Sequence, residues 1–329
     1  MASLCRVRFI NCSFGRLGLD LNSQVQVENL EHNEISAYMY WEAVSGNHIL
    51  TINQEHRFDL EMASESDYTV VLISGPQPLL FLDDHLAPKP GTAHLRILDP
   101  YKKMTYTLIG KDCNSMGMVK NSNIYFQVRL GYNDLIINLC GDLEIEDQIW
   151  FSSGQITTIV IGAEDHALFS YEGVYDIYQS EFDVQRYMGT WHQTAAIPQF
   201  FNLGCQRSTA QYTFLEGMIK VHNTCGVGSS AEHITGKAEP SSVLEWNIPA
   251  VNPAALIVSF PTGMPRPDHP NYIVHATDYK HYALVGSSDR TNLYILSRQA
   301  AGLPASTESE ILSLAQELGY DITKLVKNV

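Results

Sequence analysis

A chain of 329 residues is about twice the usual size of one domain, so two or three domains are expected, each with its own core. Hydrophobic residues make up 45% and charged residues 17%, with 17 Tyr and 12 Phe, a composition that excludes a disordered chain. The formal charge of −15 divides into 22 acids against 11 bases in residues 1–175 and 14 against 10 in residues 176–329, so neither half carries the basic surface that nucleic acid requires, and no nucleic-acid partner is expected.

At the N-terminus, Leu4 to Ile10 alternates charge with apolar residues and lacks the apolar run of a secretion signal, and no stretch approaches the ~20 apolar residues of a membrane helix. A cytoplasmic or particle-associated protein is expected on that ground. Six Cys without a C-x-x-C pair predict reduced, buried thiols rather than a dense disulfide framework.

Through the first half the chain reads as short alternating or β-branched runs punctuated by Gly, Pro, Asn and Asp, which predicts all-β structure. Sliding the sequence on itself exposes a repeat. The run Leu4 to Ile10 returns as Thr92 to Leu98, with Arg8 matching Arg96; Gly46 and Ile49 to Ile52 return as Gly131 and Leu135 to Asn138; Tyr68 to Gly75 returns as Gln155 to Gly162. Spacings of 85 to 88 residues in one order predict two tandem antiparallel β-sandwich repeats, over residues 1–90 and 91–175. The "YTVVL-x-G" strand and the "R-V-R" start of this half resemble a bacterial family of tandem β-sandwich repeats of unknown function. That resemblance brings no catalytic residues, and the half is expected to be an interaction or display module for an unidentified protein partner.

After a boundary near Tyr175 to Ser180, residues 181–329 read as eight short strands, near 189–197, 208–215, 218–224, 233–239, 255–260, 272–278, 281–286 and 293–298. Mostly short turns join them, which predicts an up-and-down barrel able to hold one small ligand. One helix is predicted behind it, over Ser306 to Leu318, with Ser306 as N-cap, an apolar stripe of Ile311, Leu312, Ala315 and Leu318, and Gly319 as the stop.

Within this region, Tyr187-Met188-Gly189-Thr190-Trp191 resembles the "Y-x-G-x-W" opening of the lipocalins, Thr277-Asp278-Tyr279 is similar to their second motif, and Arg298 to their third. Within that family the resemblance is to the bacterial lipocalin and apolipoprotein D type. Physically, Trp191 can plug one end of the barrel while Arg298 lays its guanidinium over the indole and donates to nearby carbonyls. Gly189, Trp191, Thr277, Asp278, Tyr279 and Arg298 are therefore expected to close the barrel rather than to choose its ligand.

Ligand contacts must come from the inward face. If Trp191 points in, period-2 alternation also turns Gln193 and Ala195 inward; the same rule offers Tyr212 and Phe214 on the second strand, Tyr272 and Val274 on the sixth, and Tyr294 on the eighth. Such a lining suits a small hydrophobic ligand whose polar head meets tyrosine hydroxyls, and the resemblance implies a fatty acid or lysophospholipid-like molecule. The alternative is a structural or assembly protein whose barrel is filled by these same bulky side chains. Alternate loops, 198–207, 226–232, 261–271 and 287–292, should ring the mouth, with Phe200 and Phe201 offering a peripheral membrane contact.

No catalytic group is expected: the second strand lacks the cysteine that the family's enzymatic outlier uses. Cys205 and Cys225 flank the hairpin that turns near Gly217 and are either a disulfide or a reduced, packed pair. Asp83-Asp84-His85 and Asp268-His269 carry metal-ligand residue types, but their turn-rich surroundings predict solvated loop groups, so neither a metal nor another cofactor is expected.

Overall fold

The computed structural model describes residues 4–328 apart from 43–44, 65, 75–76, 84–87, 101–103, 111–124, 140–143, 162–166, 175–178, 180, 200–203, 206, 216, 227, 242–253 and 262–264. Two compact units emerge, one from residues 1–88, 94–150 and 155–173, the other from 89–93, 151–154 and 174–329.

In the first unit, the leading repeat supplies β1 (Leu4–Cys12), β2 (Leu17–Leu21), β3 (Val25–Leu30), β4 (Glu34–Ile35), β5 (Met39–Glu42), β6 (Gly46–Ile52), β7 (His56–Met62), β8 (Asp67–Ile73) and β9 (Leu79–Asp83). One sheet runs β4-β1-β8-β9 with β5 also on β1, the other β3-β2-β6-β7. The second repeat supplies β10 (Ala93–Leu98), β11 (Met104–Gly110), β12 (Tyr125–Val128), β13 (Gly131–Leu139), β14 (Glu144–Phe151), β15 (Gln155–Ile161) and β16 (Ala167–Val174). Its sheets run β12-β10-β15-β16 and β11-β13-β14. Each set of strands thus divides into two sheets, and in each the first strand pairs with a late one.

Contrary to the sequence reading, the sandwiches are not wholly antiparallel: β1 pairs with β8, and β10 with β15, in parallel. The first strand of each module meets a later one after the chain has crossed to the other sheet, and strand pattern alone does not report the direction of that meeting. The register also sets Arg8 opposite Thr69 and Arg96 opposite Thr158, a spacing of 88 on one strand and 89 on the other, so the later strand is offset by two residues from the match made at its glycine. An offset of two preserves which face each side chain occupies.

The parallel strands are buried on both faces. Val7, Phe9, Val70 and Leu72 face the core of the first sandwich, whereas Ile10, Cys12 and Val71 pack with Leu98 and Val160 of the second repeat. This explains why β15 is buried at every position and reads as a continuous apolar run rather than an alternating one. Polar groups cross the same contact. Arg8 Nε donates to Thr69 Oγ1 at 2.8 Å and Arg96 Nε to Thr158 Oγ1 at 3.0 Å, one arrangement made twice. Asp83, expected among solvated loop groups, ends β9 with its side chain fully buried, 2.7 Å from the equally buried Arg96 guanidinium, and accepts from Tyr38 and Thr69. Its neighbours Asp84 and His85 lie outside the described residues.

The second unit contains α1 (Val184–Tyr187), β17 (Gly189–Ala196), β18 (Ser208–Leu215), β19 (Met218–Cys225), β20 (Glu232–Pro240), β21 (Ala255–Ser259), β22 (Tyr272–Thr277), β23 (Tyr282–Gly286), β24 (Leu293–Ser297), α2 (Ala305–Glu317) and β25 (Val326–Lys327). Strands β17 to β24 pair antiparallel in sequence order, and β17 pairs with both β18 and β24, which closes an eight-stranded barrel. The short β25 adds to β17 from outside the ring.

Helix α2 has its N-cap at Pro304, two residues before the predicted Ser306, with no side-chain cap hydrogen bond. Proline's fixed φ suits this entry and its lost N–H is one of those that a helix start leaves free. Its apolar stripe packs as predicted: Ile311, Ala315 and Leu318 bury against Leu284 and Ile295 on the barrel's outer face. Beyond the turn at Gly319, Tyr320 lies so close to β23 that a Cβ on Gly286 would collide with its hydroxyl, which bonds His275 Nε2 at 2.8 Å and donates to Ser287 O at 3.2 Å.

Candidate functional site

One end of the barrel is shut by the residues of the three sequence motifs. Asp183 caps α1 by accepting from Arg186 N, and the single helical turn brings Tyr187 beneath the ring of strands. Trp191, fully buried, donates its indole N–H to Tyr187 O at 2.9 Å. The Arg298 guanidinium lies 3.7 Å from the indole centroid and donates to the carbonyls of Tyr279, Thr190, Arg186 and Tyr187 at 3.0–3.1 Å. Gly189 has φ +99°, and a Cβ there would sit 3.2 Å from Arg298 Nη1, so the opening motif needs glycine for both conformation and space.

The second motif forms the β22–β23 turn that presents the Tyr279 carbonyl to this arginine. Thr277 Oγ1 accepts from Tyr279 N, and Asp278 accepts from the backbone of Lys280, His281 and Tyr282. Burial pushes the Asp278 carboxyl up, but those N–H groups and the His281 ring outweigh it and hold the pKa below its usual value. Gly189, Trp191, Thr277, Asp278, Tyr279 and Arg298, distant in sequence, thus meet at one end. The other end is bordered by the loops leaving β17, β19, β21 and β23.

Inside, Tyr212, Tyr272 and Val274 are buried in one cluster with Trp191, and Tyr294 packs on it half-buried. Two of the sequence-predicted lining residues are placed elsewhere. Ala195 belongs to the cluster under α2, because the register of β17 shifts between Gln193 and Ala195 and an extra residue reverses the faces beyond it. Phe214 is 41% exposed near the end of the β18–β19 hairpin, where β18 has run past the interior. Gln193 is half-buried and donates to Asn328 Oδ1 at 3.3 Å. Phe200 and Phe201 lie outside the described residues.

Two polar features of the interior were missed in the sequence. Tyr187, there read only as the start of a motif, joins Tyr212 and Tyr272: the Tyr187 and Tyr272 hydroxyls are 2.7 Å apart, and Tyr212 donates to Tyr272 at 2.9 Å. Burial raises all three phenol pKa values well above normal, that of Tyr187 further through its neighbour Tyr212. Tyr294 is pushed up to about 12, again by burial. Second, Asn223 shares its face with the buried Ile219 and Val221 and stands opposite Ala210, and its Oδ1 is buried without a hydrogen-bond partner. Alternation along β19 was the signal that would have found it.

Cys205 and Cys225 form a disulfide, with Cα atoms 5.5 Å apart. Since Cys225 pairs with Ser208, the bond ties the loop after β17 to the top of the β18–β19 hairpin. Among the described residues, no three His, Cys, Asp or Glu side chains gather into a metal-holding group, and Asp268 and His269 stand 3.5 Å apart. No helix among them is long and apolar enough to cross a membrane.

A lipocalin-like domain family matches residues 182–329. A lipocalin of Acanthamoeba polyphaga mimivirus is 34% identical over 151 residues, covering 46% of this chain and 86% of that protein. The outer membrane lipoprotein Blc of Escherichia coli is 33% identical over 150 residues, covering 45% and 78%, and mouse apolipoprotein D is 33% identical over 158 residues, covering 45% and 76%. With the closed barrel, the three motifs gathered at one end and these relatives in agreement, the chain belongs to the lipocalin family.

Proposed function

We propose that the barrel binds a small hydrophobic molecule without chemical conversion, with fatty acids and lysophospholipids as the first candidates. The observation that carries this reading is an interior walled by aromatic and aliphatic side chains, sealed at one end by Trp191 under Arg298. Entry then falls to the opposite end, among the four loops there. One relative is named an apolipoprotein, which supports a lipid over other apolar ligands.

The N-terminal repeats, taken as modules over residues 1–90 and 91–175, serve in this reading as an interaction or display element for a protein partner. The Cys205–Cys225 bond favours a location outside the reducing cytosol, such as association with a particle. The competing reading is a filled barrel with a structural role, favoured by three interior hydroxyls that bond one another.

Native mass spectrometry of the purified full chain, with tryptophan-quenching titrations against fatty acids and lysophospholipids, separates the two. Ligand uptake with saturable quenching is expected. No added mass, and unchanged fluorescence across both panels, would exclude the binding reading.

A further inference from the structure

We infer that the barrel selects an uncharged apolar molecule whose inner end carries a hydrogen-bond acceptor oxygen, an ester or ketone in preference to a free carboxylate. The inference rests on the hydrophobic-binding reading above and narrows its ligand, setting a free fatty acid behind a neutral molecule. Its starting point is a count of protons. Tyr187, Tyr212 and Tyr272 possess one hydroxyl hydrogen each, and the two bonds among them use two. Whichever way the Tyr187–Tyr272 bond is oriented, one buried O–H is left to donate, on Tyr272 or on Tyr187. Among the described residues no further acceptor takes this hydrogen; an unmet donor in an apolar interior is costly, and a ligand acceptor would relieve that cost.

A carboxylate would also accept this hydrogen, but nothing described in the interior repays the loss of its hydration. The nearest cation, Arg298, lies over Trp191 and uses four of its five N–H groups on main-chain carbonyls. The buried ionisable groups of the outer wall, His275 and Arg290, turn to Tyr320 and the Leu318 carbonyl beneath the C-terminal helix. The phenols themselves stay protonated at neutral pH, since burial raises their pKa values.

A second, independent mark is Asn223. Val221 stands opposite Tyr212, so Asn223 lies two residues, about 7 Å, further toward the mouth, with an acceptor that lacks a partner. The wall therefore offers a deep donor and a shallower amide, the pattern for a neutral chain with an oxygen at its buried end and a hydroxyl nearer the opening.

The test uses the full chain and three probes of equal chain length, 2-pentadecanone, pentadecane and pentadecanoate, at a pH where the acid is ionised. Titrations run on the native protein and on a variant carrying Tyr187→Phe, Tyr212→Phe and Tyr272→Phe together. Removing all three hydroxyls leaves no broken pair, so shape and fold should persist. The ketone should bind the native protein about tenfold more tightly than either other probe, and in the variant the ratio of ketone to pentadecane affinity should fall to about one. Equal binding of ketone and hydrocarbon by the native protein, tighter binding of the carboxylate, or a ketone preference that survives in the variant would each overturn the inference and leave hydrophobic binding standing. Failure of every probe to bind would instead overturn the reading beneath it. Were the variant not to fold, the native comparison alone would decide.

Discussion

At the scale of single residues, the barrel interior turns on protons rather than on charge. The phenols of Tyr187, Tyr212, Tyr272 and Tyr294 have pKa values raised by burial above the ordinary 10.0, so the folded chain holds those protons more tightly than the unfolded chain does. The stability they contribute is therefore complete below pH 10 and falls as pH rises beyond it. In an alkaline titration followed by phenolate absorbance, these four of the 17 tyrosines should ionise only together with unfolding, in a steep and late step. A single gradual wave near pH 10, with the circular dichroism of the barrel unchanged, would show that they are not buried as described.

At the scale of elements, the β18–β19 hairpin carries the interior face of Tyr212 and Asn223 and is anchored at its top by the Cys205–Cys225 bond. The two cysteines are 20 residues apart, and a cross-link closing a loop of that size stabilises by about 3 kcal/mol through the unfolded chain. Replacing both by alanine should lower the unfolding free energy of the barrel by that amount, read as a lower urea midpoint. A reducing agent should lower it equally in the native protein and not at all in the variant. Equal sensitivity of both proteins to reductant would place the effect elsewhere.

At the scale of the molecule, each unit has its own reason to be cooperative. In the N-terminal unit the two repeats share an apolar contact crossed by the buried Arg96–Asp83 pair. Such a pair is weak evidence of net stabilisation, but breaking one side leaves a charge stranded in the interior and costs about 3–5 kcal/mol. Asp83→Ala should therefore lower the calorimetric transition of residues 4–173 while leaving the barrel's transition and its ligand uptake in place. A variant that moved both transitions together would show that the units do not unfold separately.

Much of this architecture was legible in the residues. The barrel-closing group was legible through its resemblance to three lipocalin motifs, to which the physics of an indole under a guanidinium gave a role. Alternation also found Tyr212, Tyr272, Val274 and Tyr294, since parity along a regular strand is a local property. It failed at Ala195, where one irregular residue in β17 reverses the faces, and at Phe214, where the strand outruns the core. The parallel pairing of β1 with β8, the burial of Asp83 against Arg96 and the meeting of three tyrosine hydroxyls were decided only by tertiary structure. Each joins groups far apart in the chain, and no local pattern records which distant partner will supply a strand, a countercharge or a proton.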